Sequence, residues 1–93
     1  QTRALRAAYN NARVNPATVQ LIEAHGTGTR VGDKVEFQAL SQVFDGKTAS
    51  GSDCAIGSVK SMIGHTKAAA GAAGLIWLVL FERARARRKS AQI

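Results

Sequence analysis

The chain has 93 residues, 45% of them hydrophobic, and its 13 Lys and Arg outnumber its 6 Asp and Glu to give a formal charge of +7. This length suffices for one small domain, which buries only about 60% of its extended surface. The longest apolar stretch, residues 68–81, is shorter than the roughly 20 residues that span a bilayer, and no charged leader opens the chain, so neither a membrane segment nor secretion is expected.

The start of the chain predicts a helix followed by a strand. Residues 2–12 carry apolar side chains at three- and four-residue steps, which is the spacing of an amphipathic helix. These side chains are Leu5, Ala8, Tyr9 and Ala12. Asn15-Pro16 is expected to close the helix, and the apolar run at residues 19–24 predicts a buried strand.

A second helix is predicted after this strand. Asp33 is a suitable N-cap, and Glu36 stands three residues later in the capping-box position. The expected buried stripe of this helix comprises Phe37, Leu40 and Phe44. Residues 45–53 are small and polar and predict a surface turn.

The rest of the chain predicts a second strand and a long apolar helix. Residues 55–59 form a short apolar run that indicates a second buried strand, and a third helix is expected to begin near His65. Over residues 68–81 this helix has no polar face, and such a helix must be surrounded by protein. Without a covering element, a large apolar surface would be exposed.

A cluster of basic residues follows the apolar part of that helix. It comprises Arg83, Arg85, Arg87, Arg88 and Lys89. A nucleic-acid-binding module presents its cations on a folded face with aromatic or base-reading partners, so this terminal cluster argues against nucleic acid as the partner. We interpret the cluster as a solvated helix end, where cations also suit the helix dipole, or as an altered terminus.

Two histidines lie in glycine-rich loops after the predicted strands. His25 lies in residues 23–29, EAHGTGT, and His65 lies in residues 57–71, GSVKSMIGHTKAAAG. Imidazole donates, accepts or carries charge near neutral pH, and ligands of α/β sheets bind outside the carboxyl ends of the strands. We therefore predict one site that both rings share, although either histidine taken singly also fits a structural role.

The loop around His25 suits the close approach of a ligand. Gly26 and Gly28 can adopt positive φ and leave the backbone accessible. The hydroxyls of Thr27 and Thr29 can donate or accept hydrogen bonds, although both residues also suit a simple turn.

The two histidine segments, with residues 31–33, VGD, resemble the C-terminal half of a β-ketoacyl synthase, or ketosynthase, of polyketide and fatty-acid synthases. The resemblance runs from about residue 17 to about residue 80 and depends on two long motifs in the right order. It implies an α/β fold of the thiolase-like type, layered α/β/α, whose central helices lie between two sheets. It also implies chain extension by decarboxylative Claisen condensation.

Position by position, the resemblance makes His25 and His65 the two catalytic histidines and Lys60 the supporting lysine at the end of its strand. Preorganised N–H donors at a developing oxyanion are usually the largest catalytic contribution, and the two imidazoles would take this role at the extender thioester. The Lys60 ammonium would keep His65 neutral and oriented. The residues that match the phosphopantetheine channel and its substrate-binding loop are Gly26, Thr27, Gly28 and Thr29. Lys67 is interpreted as a surface charge at a helix start.

The resemblance also implies what accompanies this chain. The nucleophilic cysteine of the family belongs to a separate N-terminal motif that is absent here, and a complete ketosynthase is several times longer. We therefore expect residues 1–93 to be a partial C-terminal domain that is inactive alone, with a basic tail at residues 82–93 outside the resemblance. Expected partners are the remainder of the domain, an acyl carrier protein whose phosphopantetheine carries the substrate, and a second copy in an intact homodimer. No directly bound cofactor is expected.

Cys54 is not expected to supply the missing nucleophile. Catalytic thiols have a depressed pKa beside a helix N-terminus or a cation, whereas Cys54 begins an apolar strand and fits a small buried residue. As the single cysteine, it excludes an internal disulfide and indicates a reducing, cytoplasmic compartment.

Two segments depart from the usual family pattern. Residues 32–37, GDKVEF, replace the Gly-Asp-Pro-Ile-Glu common in modular polyketide synthases and look more like iterative polyunsaturated fatty acid synthases. Met62 replaces an Asn or Gln and removes a hydrogen bond near the site. The missing half of the domain shapes much of the acyl pocket, so starter, extender and product are not readable from this sequence.

Other functions fit the motifs less well. Residues 46–48, GKT, end like a Walker A loop, but Ser41 stands where its first glycine belongs. The glycines of residues 26–32 resemble a dinucleotide fingerprint with one residue too many. No histidine or cysteine pair has the short spacing of a structural zinc site. A noncatalytic interaction or scaffold module, in which the motifs persist only as fold elements, is the alternative.

Overall fold

The computed structural model describes residues 1–44 and 54–91. In chain order the elements are α1 (Thr2–Ala12), a 3-10 turn (Pro16–Thr18), β1 (Leu21–Glu23), α2 (Arg30–Val43), β2 (Ala55–Gly57), α3 (Lys60–Ile63), a second 3-10 turn (Lys67–Ala69) and α4 (Ala70–Ala91). The chain divides into two compact units, Gln1–Gly57 and Ser58–Ile93. The turn predicted at residues 45–53, with its GKT segment, lies outside the described residues.

The helix predicted at residues 2–12 is confirmed, but it ends by a different device. Arg13 takes the left-handed conformation with φ 54°, and its N–H donates to the carbonyl of Asn10 at 3.2 Å. A left-handed residue just past a helix satisfies the last backbone carbonyls. Asn15 instead caps the first 3-10 turn, where its side chain accepts a backbone N–H at 3.0 Å. The prediction that Asn15-Pro16 closes α1 is therefore wrong, because the helix ends through its own backbone at Arg13.

The first unit has a small core between α1 and α2. Tyr9 of α1 meets Phe44, the C-cap of α2, edge to face with ring centroids 5.5 Å apart. Ala39 and Leu40 are buried, so the predicted stripe is right for Leu40. Phe37, predicted in the same stripe, is 60% exposed, because α1 covers only one side of α2.

β1 and β2 form a parallel pair. The register places Leu21 opposite Ala55, Ile22 opposite Ile56, and Glu23 opposite Gly57. Both predicted strands are confirmed in place, but each is shorter than predicted, and their predicted burial is wrong. β1 is half-buried and β2 is exposed, because two short strands leave much of each sheet face without a packing partner. Parallel pairing brings the carboxyl ends of both strands to one edge of the sheet.

In the second unit, the residues predicted to finish the second strand begin a helix instead. Val59 is buried and lies at the N-cap of α3, so Lys60 begins a helix and does not end a strand. The long helix, predicted to begin near His65, begins at Ala70. Lys67, with φ 54°, interrupts regular helix geometry before that point.

α4 runs through the basic cluster to Ala91, in agreement with its interpretation as a helix end. Among the described residues, the apolar part of this helix is largely exposed. Its exposed large side chains include Leu75, Ile76, Val79 and Leu80. Gly74 is the buried residue of α4 among those described. Among the described residues these side chains stay exposed, which agrees with the expectation that this helix exposes a large apolar surface unless another element covers it. Within the described part of the chain, every helix is too short or too polar to cross a membrane.

Candidate functional site

The loop after β1 carries His25 and has the glycine conformations predicted for it. Gly26 has φ 47° and Gly28 has φ 81°, which are values that residues with a Cβ rarely adopt. At Gly28 a Cβ would meet no atom within 4 Å, so conformation and not space requires the glycine. His25 and Thr27 in this loop are exposed.

Glu36 of α2 holds the His25 loop through backbone N–H groups. One carboxylate oxygen accepts the His25 N–H at 2.6 Å, and the other accepts the Gly26 N–H at 2.9 Å. One turn earlier on the same helix, Asp33 accepts the Gly28 N–H at 3.2 Å. Hydrogen bonds to ionised acceptors are roughly twice as strong as neutral ones. These two acidic side chains therefore define the backbone path through His25.

The capping-box prediction for α2 is wrong. The N-cap is Thr29, whose hydroxyl oxygen accepts the Gly32 N–H at 3.2 Å. Asp33 lies in the first turn instead, where its charge suits the helix dipole. A Cβ on Gly32 would collide with the Thr29 hydroxyl, so this cap requires glycine. The roles of Thr27 and Thr29 toward phosphopantetheine stay predictions.

Glu36 is the residue of the candidate site whose contacts the sequence analysis missed. A signal was present, because Asp33 and Glu36 are one helical turn apart on a helix that follows a glycine-rich loop. The backbone N–H groups of such a loop need acceptors. A capping box and a carboxylate that accepts N–H groups of a loop use the same residue types. The spacing of Asp33 and Glu36 alone therefore did not distinguish these two roles.

His65 lies in the second unit between two residues with positive φ, Gly64 at 76° and Lys67 at 54°. Its Nδ1 accepts the backbone N–H of Lys67 at 3.0 Å. In a neutral imidazole one nitrogen donates and the other accepts. The ring proton of neutral His65 therefore lies on Nε2, which makes Nε2 a hydrogen-bond donor.

The predicted site residues fall into two groups. His25 and the four loop residues Gly26, Thr27, Gly28 and Thr29 belong to the first unit, whereas Lys60 and His65 belong to the second. Lys60 is half-buried, and its backbone N–H donates to the Ser58 hydroxyl at 3.4 Å. That the two imidazoles share one site stays a prediction. Among residues 1–44 and 54–91, no three His, Cys, Asp or Glu side chains form a group that could hold a metal ion.

Cys54 has the character of a structural thiol. It is half-buried just before β2, and burial raises the pKa of its thiol above the ordinary value. The pKa of the Tyr9 hydroxyl is also raised, first by burial and then by the charge of an ionised Cys54. A catalytic thiol needs a depressed pKa, so the sequence-based judgement that Cys54 is no nucleophile agrees with the structure.

We expect iodoacetamide to alkylate Cys54 at about pH 8 at least about threefold more slowly in the folded chain than in urea, because the raised pKa leaves less thiolate. Mass spectrometry of quenched samples gives both rates, and the denatured chain is its own control. Faster labelling of the folded chain would contradict this assignment.

Comparison with known proteins finds both a family model and individual relatives that match most of this chain. The model of the family "Beta-ketoacyl synthase, C-terminal domain" matches residues 1–89. One relative, a polyunsaturated fatty acid synthase subunit of Thraustochytrium sp., is 54% identical over 82 residues, which cover 86% of this chain and 3% of that protein. Polyketide synthase GfsE of Streptomyces halstedii is 52% identical over 80 residues, 86% of this chain and 2% of that protein.

A third relative matches a similar share of this chain. Pikromycin polyketide synthase component PikAIII of Streptomyces venezuelae is 48% identical over 79 residues, which cover 85% of this chain and 5% of that protein. The chain thus spans only a small percentage of the length of these curated relatives.

Proposed function

Because the chain belongs to the family of β-ketoacyl synthase C-terminal domains, we propose that it supplies two imidazoles and a lysine to a condensing site. The reaction is the decarboxylative Claisen condensation of an acyl thioester with a malonyl thioester. His25, His65 and Lys60 carry the catalytic roles. Gly26, Thr27, Gly28 and Thr29 line the approach of the phosphopantetheine arm.

The observation that carries this proposal is the hydrogen bond from the Lys67 N–H to His65 Nδ1. It leaves the ring proton on Nε2, where the proposed chemistry needs a donor. When the malonyl C–C bond breaks, carbon dioxide leaves and the electron pair moves into the thioester as an enolate. Donors held in place toward the enolate oxygen lower this barrier without reorganising.

The second half of the reaction needs groups that this chain does not supply. The enolate carbon attacks the carbonyl of an acyl group held as a thioester on a cysteine from the N-terminal half of the domain. The new C–C bond forms as that cysteine leaves as a thiolate. In this scheme the chain's own residues hold the extender oxygen and orient the thioester.

The first unit supports the same proposal through the backbone of the His25 loop. Glu36 accepts two consecutive N–H groups of that loop, and Asp33 accepts a third. A loop held at three points keeps the backbone that carries the imidazole in one place. Near-attack geometry is sensitive to shifts of about 1 Å, so such a restraint matters for the proposed chemistry.

The exposed apolar side chains of α4 support a larger assembly. Leu75, Ile76, Val79 and Leu80 form a surface that a helix of a finished domain would bury. We propose that the remainder of the domain covers it in a thiolase-like α/β/α fold, with residues 1–93 as part of its C-terminal half. A second copy completes the intact homodimer, and an acyl carrier protein delivers the substrate in the cytoplasm.

A chimera tests the proposed function. In it, the matched segment of the Thraustochytrium synthase is replaced by the corresponding residues of this chain. We expect the chimera to decarboxylate malonyl-acyl carrier protein and condense it with an acyl thioester within about tenfold of the parent rate, since the catalytic residue types are retained. The 93-residue chain alone is expected to show no condensation, because it lacks the nucleophile.

Product is measured as released carbon dioxide and as β-ketoacyl thioester by mass spectrometry. A chimera that elutes as the parent does in gel filtration but shows neither product would contradict the catalytic proposal and favour a scaffold role. Condensation by the chain alone would contradict its dependence on the other half.

A further inference from the structure

A recess between α1 and the end of α2 is lined by polar and cationic side chains. Its volume of about 520 Å³ lies within the range of small-molecule sites. Arg3, Arg6 and Asn10 follow one another at three- and four-residue steps, so they share one face of α1. The described residues that line the recess carry two positive charges and no carboxylate. They are Thr2, Arg3, Arg6, Ala7, Asn10 and Gln42.

Arg6 has a structural partner that fixes its position. Its guanidinium donates to the backbone carbonyl of Gln42 at 3.3 Å. Gln42 lies in the last turn of α2, where the backbone carbonyls find no N–H partner within the helix. The contact therefore caps α2 and uses one of the five N–H groups of a guanidinium. The other side-chain N–H groups of Arg6 make no hydrogen bond within residues 1–44 and 54–91, so they are available to a ligand.

Arg3 has no such structural role. It is exposed, and the side chains of Arg3 and Asn10 make neither an ion pair nor a hydrogen bond within the described ranges. The side-chain oxygen of Gln42 accepts the Thr2 hydroxyl at 3.3 Å, which leaves the NH2 group of Gln42 as a donor. The recess therefore presents guanidinium and amide donors, and capping of α2 does not account for Arg3.

The donors and the charge of the recess indicate the class of ligand. Two neighbouring guanidiniums suit phosphate, because each planar fork binds a pair of phosphate oxygens. A phosphate monoester has three acceptor oxygens and a charge of about −1.5 to −2 near pH 7, whereas a carboxylate has two oxygens and one charge. In the described chain the lining has no aromatic ring on which a base could stack. The amides of Asn10 and Gln42 can instead bind hydroxyl groups.

We propose that this recess binds a small hydroxylated phosphate monoester. The phosphate group lies between Arg3 and Arg6, where the anchored guanidinium of Arg6 loses little further freedom on binding. The hydroxyl groups of the ester contact the amides of Asn10 and Gln42.

The recess is separate from the proposed condensing site. Thr29 caps the beginning of α2, and Gln42 lies near its end. A rise of about 1.5 Å per residue places these two residues about 20 Å apart along the helix axis. The phosphopantetheine of a carrier protein is a phosphodiester with a single charge, so it matches two guanidiniums less well than a monoester does. The proposal therefore does not rest on the proposed function.

Protection of arginine from phenylglyoxal tests the proposal at single residues. The protein is the chimera with residues 1–89 of this chain transferred, the range that the family model matches. Proteolysis and mass spectrometry give the rate of modification at each arginine. With about 20 mM glycerol 3-phosphate and a Kd of about 5 mM, modification of Arg3 should slow about fivefold, because occupancy protects by a factor of 1 + [L]/Kd. Arg83, an exposed arginine of α4, is the internal control and should slow less than about 1.5-fold at constant ionic strength.

Matched variants separate a defined site from general attraction to positive charge. Arg6→Gln removes one fork and should lower the protection of Arg3 below about 1.5-fold. Arg83→Gln removes the same charge elsewhere and should leave the protection at about fivefold. Asn10→Ala should weaken binding of glycerol 3-phosphate about threefold and leave binding of inorganic phosphate unchanged, as expected for one hydrogen bond to a hydroxyl group. If Arg6→Gln changes the elution of the chimera in gel filtration, the comparison of Arg3 with Arg83 in the unmodified chimera decides the proposal.

Several outcomes would overturn the proposal. One is equal protection of Arg3 and Arg83, and another is no protection of Arg3. Inorganic phosphate that protects Arg3 as well as glycerol 3-phosphate would identify a simple anion site and not a site for an ester. Protection of Arg3 by acyl carrier protein but not by glycerol 3-phosphate would identify a surface for protein docking.

Binding and condensation are measured separately, so the two proposals fail separately. An inactive chimera in which glycerol 3-phosphate protects Arg3 would contradict the proposed function alone. An active chimera without this protection would contradict the phosphate site alone.

Discussion

Replacing either His25 or His65 by alanine in the chimera is expected to lower malonyl decarboxylation by about two to three orders of magnitude. Losing one preorganised oxyanion donor typically costs about 2.7 to 4 kcal/mol. His65 meets the requirement for a donor through its Nε2 proton. The rate is measured as carbon dioxide released from malonyl-acyl carrier protein at saturating substrate, with KM expected to change little.

The double alanine variant tests whether the two rings act on one oxygen. The effects of removing catalytic groups that work as a unit are strongly non-additive. The rate of the double variant should therefore be only slightly below that of the less active single variant. Losses that multiply would instead indicate separate roles. Lys34→Ala, a change at an exposed position of α2, is the matched control and should retain the parent rate. Two single variants with rates near that of the parent would contradict the catalytic assignment.

Replacing Glu36 by alanine is expected to release the His25 loop. The change deprives the N–H groups of His25 and Gly26 of their carboxylate acceptor. A hydrogen bond to a charged group contributes about 1.5 to 3 kcal/mol, and partial exposure lowers the value here, so we expect about 2 kcal/mol for the pair. Amide hydrogen exchange at His25 and Gly26 should then be about 30-fold faster, since each 1.4 kcal/mol is a factor of ten.

The same variant should also lower the decarboxylation rate of the chimera by about 100-fold, the size of effect that follows from a 1 Å displacement of a catalytic group. Glu36→Gln keeps one acceptor oxygen and should fall between the parent and the alanine variant. Glu82→Ala removes a carboxylate whose ion pair with Arg85 spans 3.6 Å on the surface of α4, and it should alter neither measurement. Unchanged exchange at His25 and Gly26 in Glu36→Ala would show that the loop does not depend on this carboxylate.

Much of the local structure was predictable because it depends on neighbours in the sequence. The spacing of Leu5, Ala8, Tyr9 and Ala12 predicted α1 with the bounds that are observed. The apolar runs before His25 and before Lys60 predicted two strands, and both occur. The glycines at positions 26 and 28 predicted positive φ, because few other residues tolerate it.

The errors have different physical origins. One is the choice between equally good local hydrogen-bond partners. Asp33 and Thr29 are both good caps, and the helix uses Thr29 because Asp33 and Glu36 are engaged by the loop. Burial was overestimated at Phe37 and in both strands, because an apolar side chain does not specify whether anything packs against it. The left-handed angle at Lys67 had no signal in its residue type.

The family, the order of the helices and strands apart from α3, and the identity of the groups proposed for the chemistry could be read from the amino-acid sequence, because motifs and periodicity are properties of consecutive residues. The acceptor that each backbone N–H uses could be read only from the folded chain. There, Glu36 accepts from the His25 loop and His65 Nδ1 accepts from the Lys67 amide. Competition among several acceptors is settled by distance and direction in space, and a linear sequence contains neither.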